Sequence, residues 1–262
     1  MKLPVIALLC LLFMMVIAPY LATHDPIHAE SGHELESYSH EHWFGTDRLG
    51  RDVWSRFVVG GQRTLSSALL ATLIATGGGL LLGSLGNFGP LQSIIRLLID
   101  ALLAFPAILL ALVIRTLLEG NLLTLALAVG VANLATYSRV TMDALQVAQH
   151  QPYIEGARSI GASQWRLVTR HIIPAALPTL ASFGAVVFAW SLLYASALAF
   201  LGLGGDPTQP DWGIMLQQGQ GTIVQAPRLV ILPASALALS VWLAYAVADT
   251  YSISIRKRSS RL

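Results

Sequence analysis

The sequence predicts an all-α polytopic membrane protein with six transmembrane helices. Of its 262 residues, 55% are hydrophobic and only 11% are charged, against roughly 25% charged in soluble domains. A soluble fold of this size cannot hide so much apolar surface, so a bilayer is the natural solvent. Six stretches hold the ~20 mainly apolar residues that a spanning helix needs: residues 3–22, 64–86, 97–118, 121–140, 175–200 and 229–251. Arginine and lysine are spread unevenly over the connections, which sets an orientation.

The first stretch follows Lys2 and contains Cys10. A cleaved signal peptide is the alternative there, but the stretch is long for that role and no clean cleavage site follows. A single cysteine excludes an internal disulfide framework and a cysteine metal cage. The connection 23–63 divides into a polar, histidine-rich part (23–42) and a part mixing aromatics with charges. Within the latter, Val53, Trp54, Phe57 and Val58 have helical spacing. They predict a short amphipathic helix lying at the outer interface, with Trp54 and Phe57 as anchors.

The second span carries Gly79 and Gly83, a close-packing face for another helix. In the third, Pro106 predicts a kink. Only Glu119 and Gly120 separate the third and fourth spans, so these form a tight helical hairpin. Pro178 stands near the start of the fifth span, where proline is tolerated. The connection 202–228 is rich in glycine and proline, and is expected as irregular backbone packed on protein or lining a cavity.

Orientation follows from Lys2, Arg96, Arg139, Arg158, Arg166, Arg170 and the tail Arg256, Lys257, Arg258 and Arg261 on one side. Arg48, Arg51, Arg56, Arg63 and Arg228 face the other, the first group balanced by Asp47 and Asp52. The basic tail, residues 252–262, places both termini in the cytoplasm. A net charge of +2 is too small to point to nucleic acid.

The break at 150–174 is too polar for lipid and too long for a plain turn. Pro152 suits the first turn of a helix and Gly161 its end. Ser163 can cap a second short helix running to Arg170, and Ile173 with Pro174 closes the break. Glu155, Arg158 and Arg166 give this knob charge; Tyr153, Ile154 and Trp165 give it apolar anchors. It can fill a cleft on a soluble partner, or rest as a loop helix on lipid headgroups.

Resemblance separates these. Glu155, Ala157, Gly161 and the pair Ile173-Pro174 stand at the spacing of the EAA motif of ABC-importer permeases. Gly156 departs from that motif's second position, His171 replaces its isoleucine and Ile173 its leucine. The run Phe44-Gly-Thr-Asp-Arg-Leu-Gly-Arg-Asp-Val-Trp-Ser-Arg56 resembles an outer-loop signature of the dipeptide/oligopeptide/nickel permeases, C-type subunit. Asp100-Ala-Leu-Leu-Ala-Phe-Pro106 is similar to their third span. Phe200-Leu-Gly-Leu-Gly204 with Pro210-Asp-Trp-Gly213 is similar to their last outer loop. The resemblance covers about residues 43–250. It implies the type I ABC-importer permease fold, with residues 64–251 as a core of five spans. It also implies an inner-membrane import complex with a second permease, two ABC ATPases and an extracytoplasmic substrate-binding protein. The break then becomes a coupling helix with Tyr153, Glu155, Ala157, Arg158, Gly161, Trp165, Arg166 and Pro174 at the ATPase.

The chain has no phosphate loop of the G-x-x-x-x-G-K-[ST] kind, so ATP and magnesium belong to partners and this chain binds no cofactor. Asp100 lies within a span, where a charge is costly and usually faces the bundle interior. It either borders the substrate route or pairs with Arg96 one turn earlier. His24, His28, His33, His40 and His42 lie among five acidic residues of the first outer loop. Imidazole and carboxylate suit nickel, zinc or copper, and His24 and His28 would share a helical face. A solvated polar loop is the plain alternative. Beside a family whose cargo includes nickel, the cluster points to a metal or metal-chelate cargo, with short peptides as the other class. An intramembrane enzyme is the least favoured class, because no histidine lies within the spans and neither H-E-x-x-H nor G-x-S-x-G occurs. A channel or secondary carrier is the remaining alternative, but such carriers often show internal repeats, and none is visible.

Overall fold

Apolar runs free of strand-like alternation leave helix as the way to satisfy the backbone in lipid. The computed structural model describes residues 3–88, 90–118 and 120–259, and no strand occurs among them. Lys2, Glu119 and Arg261 lie outside the described residues, as do the side chains of Cys10, Arg256, Lys257 and Arg258. The helices are α1 (Leu3–Leu21), α2 (Val53–Phe88), α3 (Gln92–Leu103), α4 (Ala107–Leu117), α5 (Leu122–Gln149), α6 (Pro152–Ser159), α7 (Gln164–Leu167), α8 (Ile173–Leu198), α9 (Trp212–Gly219) and α10 (Arg228–Ser259). Four helical runs are long and apolar enough to cross a membrane: Val53–Phe88, Leu122–Gln149, Gln164–Leu203 and Arg228–Ser252. The pair α3 and α4 makes a fifth if its 92° bend is counted within one span. Exposed Leu73, Leu81, Leu97 and Trp242 give these helices greasy outer faces.

The seam between α2 and α5 is built on small residues. A Cβ on Gly79 would sit 2.9 Å from the Tyr137 Cβ, and one on Gly83 would sit 2.6 Å from the Thr141 Cβ. Gly79 and Gly83 thus serve as the close-packing face expected of them. α5 opens with a reciprocal cap: Asn121 Oδ1 accepts from the Thr124 amide at 2.8 Å, and the Thr124 hydroxyl oxygen accepts from the Asn121 amide at 3.1 Å. That cap stops the α4–α5 hairpin after a short turn.

Several boundaries differ from the sequence expectation. The flat interfacial helix at 52–59 does not form separately; these residues are the opening turns of α2. Asp52 caps them, its Oδ2 accepting from the Ser55 amide at 2.8 Å. Gly60 and Gly61 do not break the helix because the Asp211 backbone and the Trp212 ring cover them. Trp54 and Phe57 pack on protein instead of lipid: Trp54 Nε1 donates to the Leu21 carbonyl, and Phe57 stacks on Trp212 at 5.7 Å. At 36 residues, α2 runs about 54 Å against a hydrocarbon core of about 30 Å, so its ends project beyond the bilayer core. Pro106 does more than kink the third span. Without an N–H and held in an extended conformation (ψ 127), it separates α3 from α4 at nearly a right angle.

Ile173 and Pro174 do not close the break before the fifth span. Helix runs from Gln164 through a π turn, Val168–Ile172, straight into α8. The Ile173 amide reaches back to the Val168 carbonyl, a five-residue step. That wider turn accommodates the proline next in sequence, which has no hydrogen to donate. The connection 202–228 is less irregular than its composition suggests, because Asp211 caps α9 by accepting from the Gly213 amide at 2.8 Å. It packs on protein, as expected.

Thr64 ties that connection to α2. Its hydroxyl donates to Asp211 Oδ2 at 2.7 Å and accepts from the Trp212 amide at 3.0 Å. Burial raises the Asp211 pKa, while Thr64 and the Gly213 and Ile214 amides act to lower it. A raised folded value means that stability tied to the Asp211 proton is present at low pH and lost as pH rises through that value. Thr64→Val keeps the shape but leaves a buried carboxylate and amide each short of a partner, a cost of about 1–3 kcal/mol per group. Its thermal midpoint is expected to fall, and to fall further above the raised Asp211 pKa, where the carboxylate is charged, than below it. Equal losses at both pH values would contradict the role given to Thr64.

Candidate functional site

The polar break folds as an elbow at one end of the bundle. Gln151 is extended, and Pro152 begins α6 without needing an amide hydrogen there. α6 ends in a Schellman cap: the Ala162 amide reaches the Ala157 carbonyl at 3.1 Å, and the Gly161 amide reaches the Arg158 carbonyl at 3.0 Å. This cap requires a left-handed residue, and Gly161 supplies it with φ +85. Ala157 and Ala162 meet on the inner side and pack on the core. The spacing from Ala157 to Gly161 therefore has a local physical cause. Ser163 then caps α7, its side chain accepting from the Arg166 amide.

The elbow has an inward and an outward face. Ile154, Leu167 and Ile172 are buried against Leu145, Ala148, Ala176 and Leu180 at the ends of α5 and α8. Ile154 is therefore an internal tether, which corrects its assignment as an anchor for a partner. Outward stand Glu155, Arg158, Arg166 and Arg170, all exposed, with Pro174 at the back of the π turn. Among these charges Tyr153 is 52% exposed, Trp165 78% and Ile160 87%. These three side chains form an open apolar patch among the exposed charges of the elbow. Ile160 was missed from sequence; the available signal was an aliphatic residue just before the cap glycine, off the face that carries Ile154. Tyr153, Glu155, Arg158, Trp165 and Arg166 are brought onto this one protrusion, while Ala157 and Gly161 shape it.

Asp100 is half-exposed on α3 and accepts from Arg139 Nη1 of α5 at 2.9 Å. Its expected partner Arg96 turns away and donates Nε to the Gly86 carbonyl at 2.9 Å. The helical bend at Pro106 and the packing of α3 on α5 decide this, not the one-turn spacing along α3.

At the opposite end the histidines separate. Residues 22–52 contain no helix, so His24 and His28 share no helical face. His24 and His42 come together with Asp52, their ligand atoms within 4.8 Å of one another. His28, His33 and His40 are exposed and lie outside this group. His33 instead bonds to Glu36 at 2.7 Å, and that carboxylate raises the His33 pKa. Asp52 is already committed, to His42 Nδ1–H at 2.9 Å and to the cap of α2. The trio pins the outer loop to the start of α2.

The comparisons agree with this architecture. The family described as "binding-protein-dependent transport system inner membrane component" matches residues 75–258. The chain is 34% identical over 241 residues to the glutathione transport system permease protein GsiD of Escherichia coli O6:K15:H31, covering 90% of this chain and 80% of that protein. It is 34% identical over 208 residues to GsiD of Pectobacterium atrosepticum, covering 79% of this chain and 69% of that protein. An inward-facing structure of the MetNI methionine ABC transporter superposes with TM-score 0.56 at 20% identity, over 77% of this chain and 95% of the other. An amino acid ABC transporter with histidines gives TM-score 0.57 at 18% identity, over 79% and 94%.

Proposed function

The chain belongs to the binding-protein-dependent inner-membrane components, among the dipeptide/oligopeptide permeases of ABC importers, and from that membership we propose that its elbow receives the stroke of a partner ATPase. It is the permease subunit of such an importer and not an enzyme; ATP is hydrolysed by separate subunits. The observation that supports the elbow's role is the open apolar pair Ile160 and Trp165 among Glu155, Arg158 and Arg166.

In this proposal α1 is the first of six spans, since Leu3–Leu21 offers 19 residues without a charge. Both termini are cytoplasmic, which puts the elbow on the ATPase side. The working complex holds a second permease, two ATPases that carry ATP and magnesium, and an extracytoplasmic binding protein. ATP binding closes the ATPases, their clefts push the elbow, and the helix that runs unbroken from Gln164 to Leu198 carries that movement into the bundle. The cargo is a short peptide of the glutathione class, which the names of the two curated relatives support; neither is named for a metal.

Proteoliposomes holding the complete complex are expected to take up glutathione only with ATP. Uptake by this chain alone, without ATPases, would identify a secondary carrier instead. Asp100 borders the route in this proposal. Asp100→Asn is expected to lower uptake while changing stability by less than about 1 kcal/mol, the usual ceiling for an exposed pair. Unchanged uptake would remove Asp100 from the route.

A further inference from the structure

A cavity of about 290 Å³ lies at the end of the bundle opposite the elbow, between the outer loop, the start of α2 and α9. Its charged lining is Asp47, Arg48, Arg51 and Arg56, so two positive charges are unmatched among the lining residues. Arg48 is exposed at the surface, whereas the side chains of Arg51 and Arg56 are only 6% and 1% exposed. Buried charges in proteins are normally paired. Here a single carboxylate is shared. Asp47 Oδ2 accepts from Arg51 Nε at 2.8 Å and lies 3.4 Å from Arg56 Nε. Asp47 Oδ1 is taken by the Leu49 and Arg51 amides.

Where a second carboxylate would stand there is a neutral amide. Gln218 Oε1 accepts from Arg51 Nη2 at 3.0 Å and from Arg56 Nη2 at 3.1 Å. Its own amino group is turned away to the Pro207 carbonyl at 3.0 Å. Two guanidiniums converge on an oxygen that carries only a partial charge, and the other acceptors of Arg56, the Pro26 carbonyl at 2.8 Å and the Thr208 carbonyl at 3.4 Å from Nη1, are neutral as well. The fork of a guanidinium is matched to a carboxylate. The remaining walls are apolar, with Leu49, Val53, Met215 and Leu229, which suits an organic anion better than inorganic phosphate. The volume is at the lower limit for small-molecule pockets, enough for one carboxylate-bearing end and not for a whole peptide.

We propose that the Arg51–Arg56–Gln218 cavity is a binding site for small organic carboxylates. The free end of a short peptide and a free carboxylic acid share this chemistry. The site is independent of the elbow, and its test needs no transport.

Isothermal titration of the full-length chain in lipid nanodiscs, with sodium chloride matching ionic strength, separates the sources. The probes are succinate, dialanine and dialanine amide. Binding of succinate and dialanine, with the amide about tenfold weaker, is the expected result. Succinate binding alone would assign the site to free acids. Gln218→Glu places the missing charge inside the protein. It is expected to weaken probe binding about tenfold while leaving the thermal midpoint unchanged or higher. The proposal is overturned if no carboxylate binds, if dialanine amide binds as well as dialanine, or if Gln218→Glu binds like the natural chain.

Discussion

Gly161→Pro is expected to abolish ATP-driven uptake while the protein still inserts in the membrane at the natural level. The reason is the cap that ends α6. Gly161 has φ +85, where a residue with a side chain costs about 1–2 kcal/mol, and proline is held near −65°. The substitution also removes the amide that reaches the Arg158 carbonyl. No atom lies within 4 Å of a Cβ at this position, so the damage is to backbone conformation and not to packing. The elbow loses its turn, and the faces of α6 and α7 no longer present together. Gly156 is the matched control. A Cβ there also meets nothing within 4 Å, but the residue lies inside α6, where alanine is favoured over glycine by about 0.5–1 kcal/mol. Gly156→Ala is therefore expected to keep full uptake. Glu155→Lys tests the charge rather than the turn: it reverses an exposed side chain on the outward face and is expected to uncouple ATP hydrolysis from transport. Normal uptake by both Gly161→Pro and Glu155→Lys would remove the docking role from the elbow.

Gly83→Leu is expected to eliminate folded protein. Its Cβ alone would stand 2.6 Å from the Thr141 Cβ and 2.7 Å from the Ser138 carbonyl oxygen. Neither can swing aside, because one is β-branched on a packed helix and the other is backbone. Overpacking a core costs typically about 1–3 kcal/mol. Here the α2–α5 seam must open along its length, so the loss is expected at the upper end of that range or beyond. Gly77 is on the same helix, and a Cβ there would meet nothing within 4 Å, so Gly77→Leu is expected to fold. Yield of monodisperse protein and thermal midpoint in detergent measure both. A folded Gly83→Leu variant would contradict the placement of this seam.

These outcomes also mark what the residues disclose in advance. Gly79 and Gly83 were readable because a four-residue spacing of small side chains in an apolar run has one common use. Gly161 was readable as a helix end because a left-handed cap favours glycine, whereas Ala157 came only from the resemblance to the EAA motif, and its offset is explained by the cap that the structure shows. What stayed hidden depends on distant partners. The start of α2 at Val53 depends on Trp212 and Asp211, far along the chain, closing over Gly60 and Gly61. Asp100 prefers Arg139 because a right-angle bend at Pro106 swings α3 against α5. His42 belongs with Asp52 and His24, while three neighbouring histidines face solvent, and no periodicity announces that division. Ile160 escaped because one exposed aliphatic residue in a polar loop is ordinary until its neighbours are seen to be charged and protruding.

Site-directed crosslinking tests the elbow most directly. Cysteine is placed at Ile160 or at Trp165 in a Cys10→Ser background, and the chain is reconstituted with its ATPases. Both positions are expected to capture an ATPase, with a yield that changes on ATP binding. Val224, 92% exposed in the connection at the opposite end of the bundle, is expected to capture none. Absence of an ATPase adduct at Ile160 and Trp165, or equal capture at Val224, would contradict the assignment of the elbow as the coupling surface.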